Sequence, residues 1–289
     1  MSYQIITDVT ADIDLSLYKG LPEPIIIPME VIMGGQTYIY GKDGTITVEE
    51  FYERLRSGEA AQTSQINPTV YTEYFRKILE EGKDVLYLCF SSGLSGTIQS
   101  AILCMEKLRE EFPDRKLYCV DTLAASAGEG LFVEGVLRKQ AEGLSIEEVV
   151  AWAEEHKLFM CHWFTVDSLD HLRRGGRVSA AAAFLGTALQ IKPVLHVSEE
   201  GKLIPMEKAR GQKKAIQSQV RHIAEGWKPE LGKRVWIGHG DCMERAQELA
   251  EKVRELYADA QIDIVPIGPV IGAHAGPGVL SLFYWGSNR

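Results

Sequence analysis

The sequence predicts an α/β protein built from two α/β domains, and three observations carry that prediction. Short apolar runs with strand character alternate with helix-length segments of 3.6-residue periodicity along most of the chain. In the first half, helices rather than tight turns separate most successive strands, the βαβ pattern of a mostly parallel sheet. Near residue 158 the pattern changes to a strand, a basic loop and a hairpin. The expected division is therefore an N-terminal α/β domain over 1–157 and a C-terminal one over 158–289, with a ligand enclosed between them.

The elements follow in order. "YQIIT" (3–7) is a strand that stops in "TDVTAD" (7–12). "EPIIIPMEVIMGGQTYIYG" (23–41) is expected as two strands turned at Gly34-Gly35, with Pro28 at an edge or bulge. "TVEEFYERLRSG" begins with Thr47 three residues before Glu50, the spacing of a capping box. "NPTVYTEYFRKILEEG" has Asn67 as cap, Pro68 in the first turn and Gly82 as stop. "KDVLYLCF" (83–90) is a buried strand, and Ile98, Ala101, Ile102, Met105 and Leu108 mark the helix after it. A strand at 116–122 and a long helix at about 124–142 come next. Ser145 and Glu148 then cap "IEEVVAWAEEH".

Beyond the strand "LFMCHWFTV" (158–166), "HLRRGGRVS" (171–179) is read as a basic loop. "AAAFLGTALQI" (181–191) suits a core helix or part of a tunnel wall. "IKPVLHVSEEGKLIPMEKARG" is a hairpin turned at Glu200-Gly201, followed by helix, strand, helix and strand through "QIDIVPIG" (261–268).

Composition narrows the function classes. A net charge of −9 argues against nucleic acid or an anionic membrane surface as an electrostatically driven partner. No apolar run approaches membrane-spanning length, so stable membrane insertion is not expected. The acidic N-terminus lacks a basic leader. Cys89, Cys104, Cys119, Cys161 and Cys242 are odd in number and widely spaced, which fits reduced thiols and a cytoplasmic location. No histidine pair has metal-ligand spacing; neither a metal nor a cofactor is expected.

Four segments hold more small polar or glycine residues than turns require: "TDVTAD", "TSQINP" (63–68), "SSGLSGT" (91–97) and "GPVIGAHAGPG" (268–278). The third lies between a strand and a helix, where backbone N–H groups and hydroxyls suit an anion. His274 has glycine and alanine on both sides, leaving its ring clear to donate to an anion or act as a base. A serine esterase or acyltransferase using Ser95 and His274 is the alternative, with Asp8, Asp121 and Asp241 as candidate orienting acids. Its weakness is that threonine stands at position 97, where the G-x-S-x-G elbow needs glycine. Arg177 and Arg210 belong to two basic clusters that stand out in an acidic protein.

Together "TDVTAD", "TSQINP", "SSGLSGTIQSA", "VDTLAASAGEG", "LRRGGRVS", "IKPVLHVSEEGKL", "ARGQKKA" and "GAHAGPG" resemble, in order and spacing, the bacterial DegV family, the fatty-acid-binding subunits of fatty acid kinase. The resemblance covers essentially the whole chain. It implies a non-catalytic carrier that holds one long-chain fatty acid in a buried apolar tunnel and presents the carboxylate to a separate kinase subunit. It also implies carboxylate binding by Thr63, Ser64, a serine of the 91–95 loop (Ser95, or Ser92) and His274, and kinase contact through Arg177 and Arg210. Val9, Ile66, Ala273 and Ala275 depart from the family pattern by removing a serine, a proline and two threonines, which bears on acyl-chain preference.

Overall fold

The structure is a computed structural model that describes residues 2–178, 190–287 and 289. The segment 179–189, which holds most of the small apolar run noted above, lies outside the described residues.

The first sheet is parallel. Its strands are β1 (Tyr3–Asp8), β2 (Ile25–Ile27), β6 (Asp84–Cys89) and β7 (Leu117–Asp121), in the order β2-β1-β6-β7. Between β2 and β6 the chain builds a small antiparallel sheet, β4-β3-β5, from β3 (Met29–Met33), β4 (Gln36–Tyr40) and β5 (Ala61–Thr63). The segment 23–41 therefore forms three strands and not two. Pro28 separates β2 from β3, and because it has no N–H to continue a ladder, the chain changes sheet there.

The second sheet is mixed, in the order β10-β9-β8-β13-β11-β12. Its strands are β8 (Met160–Thr165), β9 (Ile191–Val197), β10 (Leu203–Arg210), β11 (Arg234–His239), β12 (Gln261–Pro266) and β13 (Leu280–Trp285). β9 and β10 make the expected antiparallel hairpin. β13, which the sequence reading missed, lies between β8 and β11 and pairs antiparallel with both.

The helices start where their caps place them. In α1 (Val48–Arg56) the Thr47 hydroxyl accepts from the Glu50 N–H. In α2 (Pro68–Glu80) the Asn67 side chain accepts from the Thr69 N–H. α3 (Thr97–Glu111) follows the serine-rich turn, and α5 (Ile146–His156) carries a full Ser145–Glu148 capping box. The "basic loop" contains a short helix, α6 (Asp170–Arg174). α7 (Gln212–Gly226) and α8 (Met243–Leu256) cover the far face of the second sheet, and α9 (Pro269–Ala275) occupies the glycine-rich C-terminal segment.

The long helix α4 (Ser126–Ala141) lies between the two main sheets. Its Leu131, Phe132 and Val136 share one buried cluster with Ile5, Leu86 and Val120 of the first sheet and with Met160, Trp236 and Phe283 of the second. α4 is a core helix, buried toward both sheets over most of its length, with Glu129 and Glu134 among its buried residues. Gly128 lets it approach the second sheet: a Cβ there would lie 2.4 Å from His162 Nε2 and 2.7 Å from Phe283 Cδ1.

Candidate functional site

The serine-rich turn runs from the end of β6 to the start of α3, and its neighbours hold it firmly. The Ser91 hydroxyl donates to the carbonyl of Gly201 at 2.8 Å and accepts from the Gly93 N–H at 3.2 Å. Gly93 presses against the β9–β10 turn so closely that a Cβ would meet the Glu200 carbonyl oxygen at 2.6 Å. A loop of the first sheet is thus seated on a hairpin of the second. Ser92 is exposed and its N–H donates to Asp121 Oδ1 at 3.2 Å; its side chain is not on the cavity wall. Ser95 is on that wall. Its oxygen accepts from the Thr97 N–H at 3.3 Å, leaving its own proton to donate.

Thr63 ends β5, and its hydroxyl lies 2.8 Å from His274 Nε2 near the C-terminal end of α9. Burial, and secondarily the Arg177 guanidinium, push His274 down to about 4, so its ring is neutral at pH 7. Among the described residues, His274 Nδ1 is buried without a hydrogen-bond partner. Arg177 donates through Nε to the Leu94 carbonyl at 3.2 Å and through Nη1 to the Gly175 carbonyl. Ser64 also lines the cavity, but its hydroxyl donates to Glu30 at 3.0 Å.

Thr63, Ser64, Ser95 and His274 therefore come together on one cavity, and Arg177 joins them on its wall. Arg210, at the end of β10, is exposed and is not on this wall. Apolar side chains make most of the remaining lining, among them Phe90, Leu94, Phe164, Leu172, Ile271 and Phe283. They come from the loop after β6, from β8 and β13 of the second sheet, and from α6 and α9. The atom-free space is about 930 Å³, including its open mouth, within the range of small-molecule sites.

Six more polar side chains reach the wall: Thr10, Gln65, Thr97, Ser126, His162 and Ser281. Thr10, Gln65 and Thr97 stand in segments singled out from the sequence, but none of the six was named there as a site residue. A period-two count along β8 and β13 puts His162 with Phe164, and Ser281 with Phe283, on the faces that line the cavity. Three buried carboxyls lie behind this wall. Asp8 accepts from Tyr87 at 2.6 Å and from the Thr10 hydroxyl, which also faces Glu129 at 3.1 Å. Asp12 accepts from the Gly268 N–H at 2.8 Å and from Ser126 at 2.6 Å. Burial raises the pKa of all three, Asp12 to about 7. Among the described residues no group of three or more His, Cys, Asp or Glu is arranged to hold a metal ion.

The model of the DegV family of uncharacterised proteins matches residues 2–286. The chain belongs to the DegV family. It is 40% identical over 287 residues to a DegV domain-containing protein of Clostridium perfringens, covering 99% of this DegV chain and 98% of that one. Its fold matches a fatty-acid-binding DegV family protein from Thermus thermophilus with a TM-score of 0.84, at 33% identity over 99% of this chain and 100% of the other. It also matches the Fatty Acid Kinase (Fak) B3 protein of Streptococcus pneumoniae loaded with linoleic acid, with a TM-score of 0.84 at 26% identity over 99% of each. Among the described residues, no helix of this DegV chain is long and apolar enough to cross a membrane.

Proposed function

We propose that the chain binds one long-chain fatty acid, holds its carboxylate at the Thr63–Ser95–His274 mouth and presents it to a separate ATP-using kinase as the acceptor for acyl-phosphate formation. The observation that carries this reading is a largely apolar cavity whose anion-suited donors are grouped together, Thr63 against His274 and Arg177 on the Leu94 carbonyl beside Ser95. A buried tail contributes about 0.8 kcal/mol per CH₂, so about fourteen methylenes supply roughly 10 kcal/mol before ordering costs. Hydrogen bonds from Ser95 and Thr63 and the charge of Arg177 then fix which end faces out. The solved relatives named for fatty acid binding, and the one named as a fatty acid kinase B protein, support the same reading.

In this reading residues 1–157 and 158–289 act as two halves closing on the ligand, in a cytoplasm that keeps all five cysteines reduced. Arg210, exposed and away from the wall, is a docking residue for the kinase. Arg177 serves the carboxylate as well as the partner. The hydrolase alternative lacks its assembly: His274 Nε2 faces Thr63, Asp8 is engaged with Thr10 and Tyr87, Asp121 with the Ser92 and Leu123 N–H groups, and Asp241 with Arg56.

Native mass spectrometry followed by denaturing lipid extraction tests the carrier. One fatty acid per chain, released unhydrolysed, is expected. A delipidated protein that takes up no fatty acid on titration would refute it. With a fatty acid kinase catalytic subunit and ATP, Arg210→Ala should lower acyl-phosphate formation at unchanged fatty acid affinity, whereas Arg177→Ala should weaken both.

A further inference from the structure

Of the six additional wall residues, Gln65 is exposed, and Ser281 is the buried one whose hydroxyl has no hydrogen-bond partner among the described residues, the residue being only 4% exposed. The other four are engaged. Thr10 bonds Asp8 and Glu129, Thr97 bonds Tyr71, and Ser126 donates to Asp12. His162 donates through Nδ1 to the Met160 carbonyl at 2.9 Å, which leaves Nε2 to accept from the Ala125 N–H at 3.3 Å.

Register places Ser281 within the cavity. It pairs directly with Phe164 and lies diagonal to His162, so its Cβ is roughly 5 Å from the first and about 7–8 Å from the second. All three side chains line the same space. Its neighbour Leu280 pairs with His239, whose carbonyl accepts from the Ile267 N–H at 2.8 Å. Diagonal His162 accepts from the Ala125 N–H, and the adjacent Ser126 donates to Asp12, which accepts from the Gly268 N–H at the start of α9, so this part of the wall is tied to the N-terminal end of α9, whereas His274 is near the C-terminal end. At 1.5 Å rise per residue those ends are about 9 Å apart. A carboxylate at the mouth would thus bring the middle of a long acyl chain, and not its head group, past Ser281.

A plain methylene against Ser281 would strip the hydroxyl of water and give nothing in return, the costly case for a buried polar group. A chain oxygen at that level would pair with it. We infer that Ser281 forms a mid-chain polar subsite and that the chain takes long-chain fatty acids bearing a hydroxyl on a middle carbon in preference to unsubstituted ones. This rests on the carrier function proposed above. Ser281 can donate to such a hydroxyl or accept from it, and Ser126 has free lone pairs on the same wall.

The experiment is competitive displacement of a fluorescent fatty acid from the delipidated full-length chain. The competitors are octadecanoic acid and a set of monohydroxyoctadecanoic acids with the hydroxyl at successive middle carbons. At least one isomer is expected to bind about tenfold tighter than octadecanoic acid, the ratio for one satisfied against one stranded hydroxyl. In Ser281→Ala that ratio should fall to one or below, while octadecanoic acid binds as tightly as to the wild type or more tightly. Should the alanine variant fold poorly, Ser281→Cys keeps the volume, weakens the hydrogen bond and should reduce the ratio. Octadecanoic acid binding with no isomer preferred, or a preference that survives loss of the hydroxyl, overturns the subsite and leaves the carrier intact. Failure of every acid to bind overturns the carrier and the subsite with it.

Discussion

His274 meets an incoming carboxylate as a neutral ring, because burial and Arg177 hold its pKa near 4. Its hydrogen bond to Thr63 fixes the ring, so Thr63→Val should loosen it and remove a donor at once. Fatty acid affinity should drop about tenfold or more, with little change in melting temperature, as calorimetric titration and a thermal scan would show. Asp12 sets a different dependence. Its folded pKa of about 7 is above the ordinary 3.8, so between those values the unfolded chain binds fewer protons than the folded one. The stabilising contribution is complete below about pH 4 and is lost as pH rises through 7. Asp12→Asn keeps an acceptor for the Gly268 N–H, and the Ser126 hydroxyl can turn to accept from the new amide. Urea titrations at several pH values should show the variant gaining on the wild type from pH 4 to 8, by on the order of a few kcal/mol. Asp8 and Glu129, also raised, should keep part of the slope in place.

At the scale of elements, Gly128 sets how closely α4 can pack on the second sheet. Ala at that position gains helix propensity but drives a methyl into His162 and Phe283, both already packed. A net loss of about 1–3 kcal/mol is expected, read as a lower urea midpoint at unchanged slope. The elements themselves were legible where their signals were local. Asn67-Pro68, Ser145–Glu148 and the Glu200-Gly201 turn each announce a boundary through their own chemistry. α9 was hidden because glycines bracket only about two turns of helix. β13 was hidden because a strand buried on both faces shows little polar alternation. The site divides in the same way. Thr10, Thr63, Ser95 and His274 stood in conspicuous segments, whereas Ser126, His162 and Ser281 arrive singly from three separate places. Only the strand register and the position of α4 bring those three to one wall.

For the whole molecule, ligand binding and stability are coupled, since the cavity lies between layers that must be folded to exist. At about a hundred times Kd, a bound fatty acid should add about 2.7 kcal/mol. For a chain of this size that is a rise of about 5 °C in melting temperature, and it should scale with the logarithm of fatty acid concentration. A melting temperature indifferent to added fatty acid would contradict the cavity as the binding site.

The placement of α4 also governs the order in which the protein can be completed during synthesis. Its residues leave the ribosome long before Phe283 and Trp285, the side chains of β13 that cover Gly128 and Phe132. At ordinary translation rates the interval is on the order of ten seconds or more. Throughout it, the apolar side of α4 that β13 will cover waits exposed, a surface that a nascent-chain chaperone would hold. A chain arrested before β13 would keep that surface permanently and should be cleared by proteolysis instead of accumulating.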